Sequence, residues 1–256
     1  MPGHWLLARM GKRVLRPGGL ELTRRMLDGL AIGSEDAVVE LAPGLGTSAR
    51  LALRNNPASY TGVERDQSAA VAVRRILAGP NRRCLTGTAA NTGLEDASAT
   101  VVFGEAMLTM QTPAQKKAIV REALRVLRPG GRYGIHELAL EPDDLSDEIK
   151  EQVSHDLSSV IHVGARPLTS LEWRSLLESE GFEVRTEAVA PMHLLEPRRL
   201  IRDEGLRGVL RILFNMLRTP AARRRILAMR GMFRRHQDVM CAVTFVATRP
   251  EGEPVS

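Results

Sequence analysis

The chain has 256 residues, 43% of them apolar, enough to bury a full core as one large domain or as a core with a cap. Its formal charge of +6 and pI near 10.0 invite an anionic partner, but only 2 Trp and 2 Tyr are present and no basic stripe is interleaved with them, which disfavours stacking on nucleic-acid bases. Met1 to Arg9 shows neither a long apolar stretch nor a cleavage pattern, and no apolar run reaches about 18 residues, so a cytoplasmic, non-spanning protein is expected.

In chain order, the first feature is a repeated heptapeptide. Arg13-Val14-Leu15-Arg16-Pro17-Gly18-Gly19 is identical to the stretch from Arg125 to Gly131. The first copy precedes an amphipathic helical pattern at Glu21 to Leu27 and the second enters a strand, so both read as independent helix stops. Next, Val38-Val39-Glu40-Leu41 is a short apolar run with an acidic end that opens into Pro43-Gly44-Leu45-Gly46-Thr47, and Thr61-Gly62-Val63-Glu64-Arg65-Asp66 is a second acidic-ended run. Glycines at a strand exit let a ligand lie against the main chain near a helix N-terminus. A carboxylate about 20 residues on can accept hydrogen bonds from both hydroxyls of a ribose. Two ligand types compete, because Gly44 to Ala49 also fits the loose G-x-G-x-x-G/A pattern of dinucleotide binders. Glu40 separates them: its charge would repel a pyrophosphate and attract an ammonium and a sulfonium.

Further along, Thr112-Pro113-Ala114-Gln115 carries a capping hydroxyl, a proline at the first helical position and Gln115 three residues after the cap, which predicts a helix start. Ile119, Ala123, Leu124 and Leu127 form its apolar face, and Pro129-Gly130-Gly131 ends it. Thr169 with Glu172, flanked by Leu168 and Trp173, predicts a second start. Strand-like and helix-like segments alternate from Asp36 to about Ala190, which favours a parallel sheet covered on both faces. Cys84 and Cys241 have no metal-ligand spacing and read as buried free thiols, and no metal site is expected.

The late segment holds most of the excess charge. Arg198, Arg199, Arg202, Arg207, Arg211, Arg218, Arg223, Arg224, Arg225, Arg230, Arg234 and Arg235 face only Asp203 and Glu204 there. Leu206, Val209, Leu210, Leu213 and Leu217, joined by Ile212, Phe214 and Met216, predict a very apolar helix, and Ile226, Met229 and Phe233 a second. These helices suit a cap with a solvated basic face, or a greasy acceptor pocket or peripheral contact with anionic lipid, better than nucleic acid.

Glu40-Leu41-Ala42-Pro43-Gly44-Leu45-Gly46 is similar to the acidic-x-G-x-G-x-G first motif of the class I S-adenosylmethionine-dependent methyltransferases, with Ala42 in place of the first glycine. Leu94 to Glu105 resembles the family's fourth-strand segment, and Leu124 to Tyr133 its helix, turn and fifth strand. The resemblance covers roughly residues 34 to 140, and more weakly the chain to about 190 and the last strand. It implies an α/β fold with a Rossmann-like doubly wound sheet, mostly parallel, whose last strand, Val239 to Ala247, lies antiparallel beside the fifth. It also implies S-adenosyl-L-methionine as cofactor. Glu40, Ala42, Gly44 and Gly46 would border its amino acid end, Glu64 and Arg65 its ribose, and Thr88 and Ala89 its adenine, with Glu105 at the end of the fourth strand. The expected layout is an N-terminal helical cover (1–33), a cofactor-binding core (34–190 and 237–249), a lid (142–168), a basic helical cap (196–236) and a flexible tail (250–256).

A sulfonium methyl is already activated, so alignment and exclusion of water matter most, and a base helps only where the acceptor is a hydroxyl or an acidic carbon. Glu137, His136 and Glu105, at strand ends, are the candidate catalytic groups; an acidic residue stands at the place of Glu137 in the ubiquinone- and menaquinone-type methyltransferases that the chain loosely resembles. Met107, His155, His162 and Trp5 are candidates for the acceptor pocket, with Lys12 and Arg16 within reach. The expected activity is methyl transfer to a small apolar or lipid-like acceptor at oxygen, carbon or sulfur. A non-catalytic binding module of the same fold is the alternative, an NAD-dependent oxidoreductase a third, and a homodimer stays open.

Overall fold

The structure is a computed structural model and describes residues 1–192 and 194–252, so the last four residues of the expected tail lie outside it. Five parallel strands form the centre: β1 (Ala37–Leu41), β2 (Ser59–Glu64), β3 (Arg82–Thr86), β4 (Ala99–Glu105) and β5 (Leu127–Leu140), in the spatial order β3-β2-β1-β4-β5. The short β6 (Leu168–Thr169) pairs with the end of β5. β8 (Met240–Thr248) lies antiparallel between β5 and β7 (Glu183–Pro191), so the last strand inserts beside the fifth as the resemblance implies.

Two helix layers cover the sheet. On one face, α5 (Pro113–Val126) and α7 (Ser170–Ser179) each begin at a complete capping box, Thr112 with Gln115 and Thr169 with Glu172. Ile119, Val120, Trp173 and Leu177 from these helices are buried in one cluster with Tyr133 and Phe245. On the other face, α2 (Gly19–Leu30) and α3 (Thr47–Ala52) bury Met26, Leu30 and Ala49 against Tyr60 and Phe103. Helix α4 (Gln67–Arg74) packs on β2 and β3, its first turn capped by the Asp66 side chain. Cys84 and Cys241 are free and buried, and burial pushes their thiols up to about 11 and about 12, which leaves both inert at neutral pH.

A further cluster sits beyond the end of β5. Helix α1 (Gly3–Arg9), α6 (Asp147–Ile161), α8 (Pro197–Arg218) and α9 (Pro220–Arg235) surround it. Leu6, Leu7, Leu157, Met192, Met229 and Phe233 are buried there with Leu138 and Leu140 of β5. Each such side chain contributes roughly 1.5–3 kcal/mol by leaving water, so this roof is held mainly by apolar burial.

The very apolar helix expected from Leu206 to Leu217 is the second half of α8, which starts earlier, at Pro197. Helix α8 breaks at Gly205 (φ 70, ψ 167), a left-handed φ that glycine adopts without steric cost. The break turns Glu204 inward, where its Oε1 accepts hydrogen bonds from the backbone N–H groups of Arg13 (2.7 Å) and Val14 (2.8 Å). Among the described residues no helix is long and apolar enough to cross a membrane.

Candidate functional site

The C-terminal ends of β1, β2 and β4 meet where the strand order changes direction, and the crevice there is where open α/β sheets bind ligands. A cavity of about 930 Å³ opens at this point. Its wall takes Glu40 from β1, Glu64 from β2 and Glu105 from β4, then the turn residues Ala42, Pro43, Gly44, Thr47 and Ser48. Arg65, Thr88, Ala89 and Met107 also line it, as does Trp5 from α1.

Hydrogen bonds fix the polar part of this wall. The Glu64 carboxylate accepts the N–H of Gly44 through Oε2 and that of Asp66 through Oε1, both at 2.9 Å. Each oxygen keeps a further lone pair for a ligand hydroxyl. Glu40 is buried and accepts a 2.5 Å hydrogen bond from the Tyr60 hydroxyl. Burial pushes its carboxyl up to about 8, the Tyr60 hydrogen bond only partly opposing this and Glu105 adding to it. A cation beside Glu40 would restore its charge.

The turn itself discriminates between ligands. Gly44 has φ 54, and a Cβ built on it would meet only the Ala42 carbonyl, at 3.9 Å, so the missing side chain leaves room in the cavity. Ala42 also stands in the left-handed region, at φ 53, where the family's first motif has glycine. Gly46 does not line the cavity; a Cβ there would clash with Ile76 Cδ1, so this glycine serves the packing of the turn. The N–H of Gly44 is engaged by Glu64 and that of Gly46 by the Pro43 carbonyl (2.8 Å), so neither is free to hold a pyrophosphate. Three carboxylates and occupied turn amides fit a cationic nucleoside with a free ribose and do not fit a dinucleotide.

The structure puts the three candidate bases to other uses. Glu105 lines the cavity, but its oxygens hold Arg16 and Ser48 on one side and Thr23 and His136 on the other. Burial alone would raise its carboxyl, yet the Arg16 guanidinium and the hydrogen bonds from His136 and Ser48 outweigh it and hold the group down at about 2. His136 is fully buried, with Nδ1 2.7 Å from Glu105 Oε1 and Nε2 2.6 Å from the Pro17 carbonyl. Both ring nitrogens are held by these buried partners, and His136 is not part of the cavity wall, so the ring does not face an acceptor molecule. Glu137 is fully buried away from the cavity wall and caps the loop after β4. Its oxygens accept the N–H groups of Met107 (2.9 Å), Leu108 (2.8 Å) and Thr109 (3.0 Å) and the Thr109 hydroxyl (2.7 Å). Burial raises its carboxyl, and the loop's donors offset part of that rise.

Other expectations divide in the same way. Met107 and Trp5 line the cavity, whereas His155 and His162 are exposed and take no part in its wall. Arg16 reaches the wall but is tied to Glu105, and Lys12 is buried near Glu204. Among the described residues no group of three or more metal-ligating side chains occurs.

Most of the rest of the wall is apolar and comes from distant parts of the chain. Leu7, Leu138, Leu157, Met192, Met229 and Phe233 belong to it, the last two on α9. The sequence offers a greasy pocket for the late helices that carry Met229 and Phe233, but marks Leu7, Leu138 and Leu157 only as core and does not bring them to the same wall. His4, also on the wall, carries no signal in the sequence. Burial and then the charge of Arg65 lower its pKa, so its imidazole is neutral at physiological pH.

Comparison with known proteins agrees with the fold. A family model described as a methyltransferase domain matches residues 38–131. An uncharacterized protein of Haemophilus influenzae is 32% identical over 220 residues, which cover 84% of this chain and 86% of that one. Among solved structures, the MccD protein is similar with a TM-score of 0.71 and 19% identity, covering 91% of this chain and 99% of its own. A putative sarcosine dimethylglycine methyltransferase of Galdieria sulphuraria reaches 0.69 at 16% identity, covering 91% and 86%. The phosphoethanolamine N-methyltransferase 2 of Haemonchus contortus, in complex with S-adenosyl-L-methionine, reaches 0.68 at 16% identity, covering 96% of this chain and 56% of that one.

Proposed function

The chain belongs to the class I S-adenosylmethionine-dependent methyltransferases, and on that premise we propose that it methylates a small apolar or lipid-like acceptor at oxygen, carbon or sulfur. One observation carries the proposal: a single cavity has a carboxylate-lined part at the strand ends and an apolar part under α1, α6 and α9.

Bound S-adenosyl-L-methionine supplies a methyl group already activated on a sulfonium. Glu64, held by two backbone N–H groups, binds the ribose hydroxyls without having to reorganise. Glu40 faces the cationic amino acid end, where its buried carboxyl gains a counter-charge. Thr88 and Ala89, which line the cavity, would border the adenine, with Arg65 beside the ribose. The apolar residues of α1, α6 and α9 exclude water and hold the acceptor in line.

Because Glu105, His136 and Glu137 are all engaged in holding the protein together, an acceptor that arrives deprotonated, such as a carboxylate or a thiolate, suits the site best. A hydroxyl acceptor would give its proton to His4, the imidazole on the wall.

Incubating the protein with cell extract and methyl-deuterated S-adenosylmethionine, followed by mass spectrometry of the organic and aqueous fractions, tests this. A labelled product in the organic fraction is expected. Label confined to macromolecules would contradict the acceptor class, and cofactor binding with no label in any fraction would favour a non-catalytic module.

A further inference from the structure

The second half of α8, residues 206–218, carries large apolar side chains on the side that faces solvent. Leu206, Leu210, Phe214 and Leu217 are 69%, 66%, 56% and 68% exposed, and Leu213 is exposed with them. At helical spacing these five fall within an arc of roughly 100°. The opposite side is the one that packs: Gly208 and Ile212 are buried, and Asn215 Nδ2 donates to the Met10 carbonyl at 3.1 Å. The exposed ridge is therefore additional to what the fold needs.

Guanidinium groups flank it. Arg207, Arg211 and Arg218 follow the ridge along one edge, with Arg223 and Arg224 at the start of α9. None of these five forms an ion pair with a described carboxylate. The segment's acidic residues cannot answer them, because Asp203 and Glu204 are buried and the neighbouring Glu196 is paired with Arg230 and Arg234.

We propose that this ridge docks the protein on an anionic lipid surface, its leucines and Phe214 entering the acyl boundary and the arginines meeting headgroup phosphates. The long arginine stems can lie along the ridge while their heads stay in the headgroup layer. A second copy of the chain is a poorer occupant, since ridge-to-ridge pairing would bring the unpaired arginine columns of both copies together. Nucleic acid is poorer as well, since it offers the leucines nothing apolar to enter. The inference does not rest on methyl transfer. It would, however, bring α9, which packs on α8 and lines the cavity through Met229 and Phe233, next to the bilayer.

Co-sedimentation of the full chain with phosphatidylcholine vesicles, with and without phosphatidylglycerol, tests the proposal. Binding to the anionic vesicles alone, weakened by salt, is expected. Leu210→Glu with Leu217→Glu should weaken it by more than about 100-fold, and Arg207→Gln with Arg218→Gln by about 10- to 30-fold. All four positions are exposed, so the thermal melt should not change. The proposal fails if the wild type does not sediment with anionic vesicles or if the leucine variant sediments equally. It also fails if light scattering finds a wild-type dimer that the leucine variant splits, or if an oligonucleotide is bound in preference to vesicles.

Discussion

The two parts of the cavity are built by different means. The carboxylate-lined part comes from three strand ends and one turn, and its carboxylates are fixed by hydrogen bonds, Glu64 by Gly44 and Asp66 and Glu40 by Tyr60. The apolar part comes from α1, β5, α6, the segment after β7 and α9, held together mainly by side-chain packing, with Asp156 of α6 bound to His236 at the end of α9 (2.9 Å) and Glu196 paired with Arg230 of α9. A wall of fixed polar atoms selects one ligand by its hydrogen-bonding pattern. A wall of leucines, methionines and a phenylalanine selects by size and apolarity and can repack around related molecules. On the proposed assignment, the cofactor end is therefore rigid in chemistry, and the acceptor end is where members of such a family can diverge.

Substitutions at the junction and in the polar part sharpen this contrast. The largest effect is expected at Glu137, which joins β5 to the loop between the two parts. Glu137→Ala strands four buried donors and should cost about 3–5 kcal/mol in urea denaturation. If Glu137 were instead a free base, the variant would keep its stability and lose turnover. Next, Glu64→Ala should weaken S-adenosylhomocysteine by about 1–3 kcal/mol in a binding titration. A substitution in the apolar part, such as Met229→Ala, should leave that affinity unchanged.

Glu40 gives a pH signature. Its carboxyl lies at about 8 in the folded protein against 4.5 ordinarily, so the folded state keeps a proton that the unfolded state has lost between these values. Stability should therefore fall as pH rises from about 4.5 to about 8 and level off above. Glu40→Gln should flatten that loss and gain about 1–3 kcal/mol at pH 8, while binding the cationic cofactor less well. A variant that loses both stability and affinity would contradict the assignment. The smallest effect is expected at Ala42, whose φ of 53 is left-handed: Ala42→Gly should raise stability by about 1 kcal/mol in the same denaturation assay.

The same contrast governs what the sequence could reveal. Glu40, the glycine turn and Glu64 lie within one β-α-β stretch, where strand ends and turn chemistry are local properties, so their convergence could be read from spacing. The capping boxes at Thr112 and Thr169 were legible for the same reason. Glu137 and His136 read as the end of the fifth strand, but β5 runs on to Leu140, and their partners, the loop after β4 and the Pro17 carbonyl, are set by tertiary packing. Apart from the late helices, which suit a greasy pocket, the apolar wall was legible only as core-like positions, because Leu7 and Leu157 are far apart in the chain and meet through burial alone. His155 and His162 share an exposed surface that their spacing could not distinguish from a lining one. Helix α8 broke where the left-handed conformation of Gly205 lets Glu204 reach the N-terminal segment, a contact across 190 residues.

The central claim is that the polar wall is shaped for an S-adenosyl ligand and not for a dinucleotide. Isothermal titration of the wild-type chain with S-adenosylhomocysteine and, separately, with NAD addresses it directly. Saturable one-site heat with S-adenosylhomocysteine and none with NAD is the predicted result. No heat with S-adenosylhomocysteine, or NAD bound in competition with it, would contradict the account.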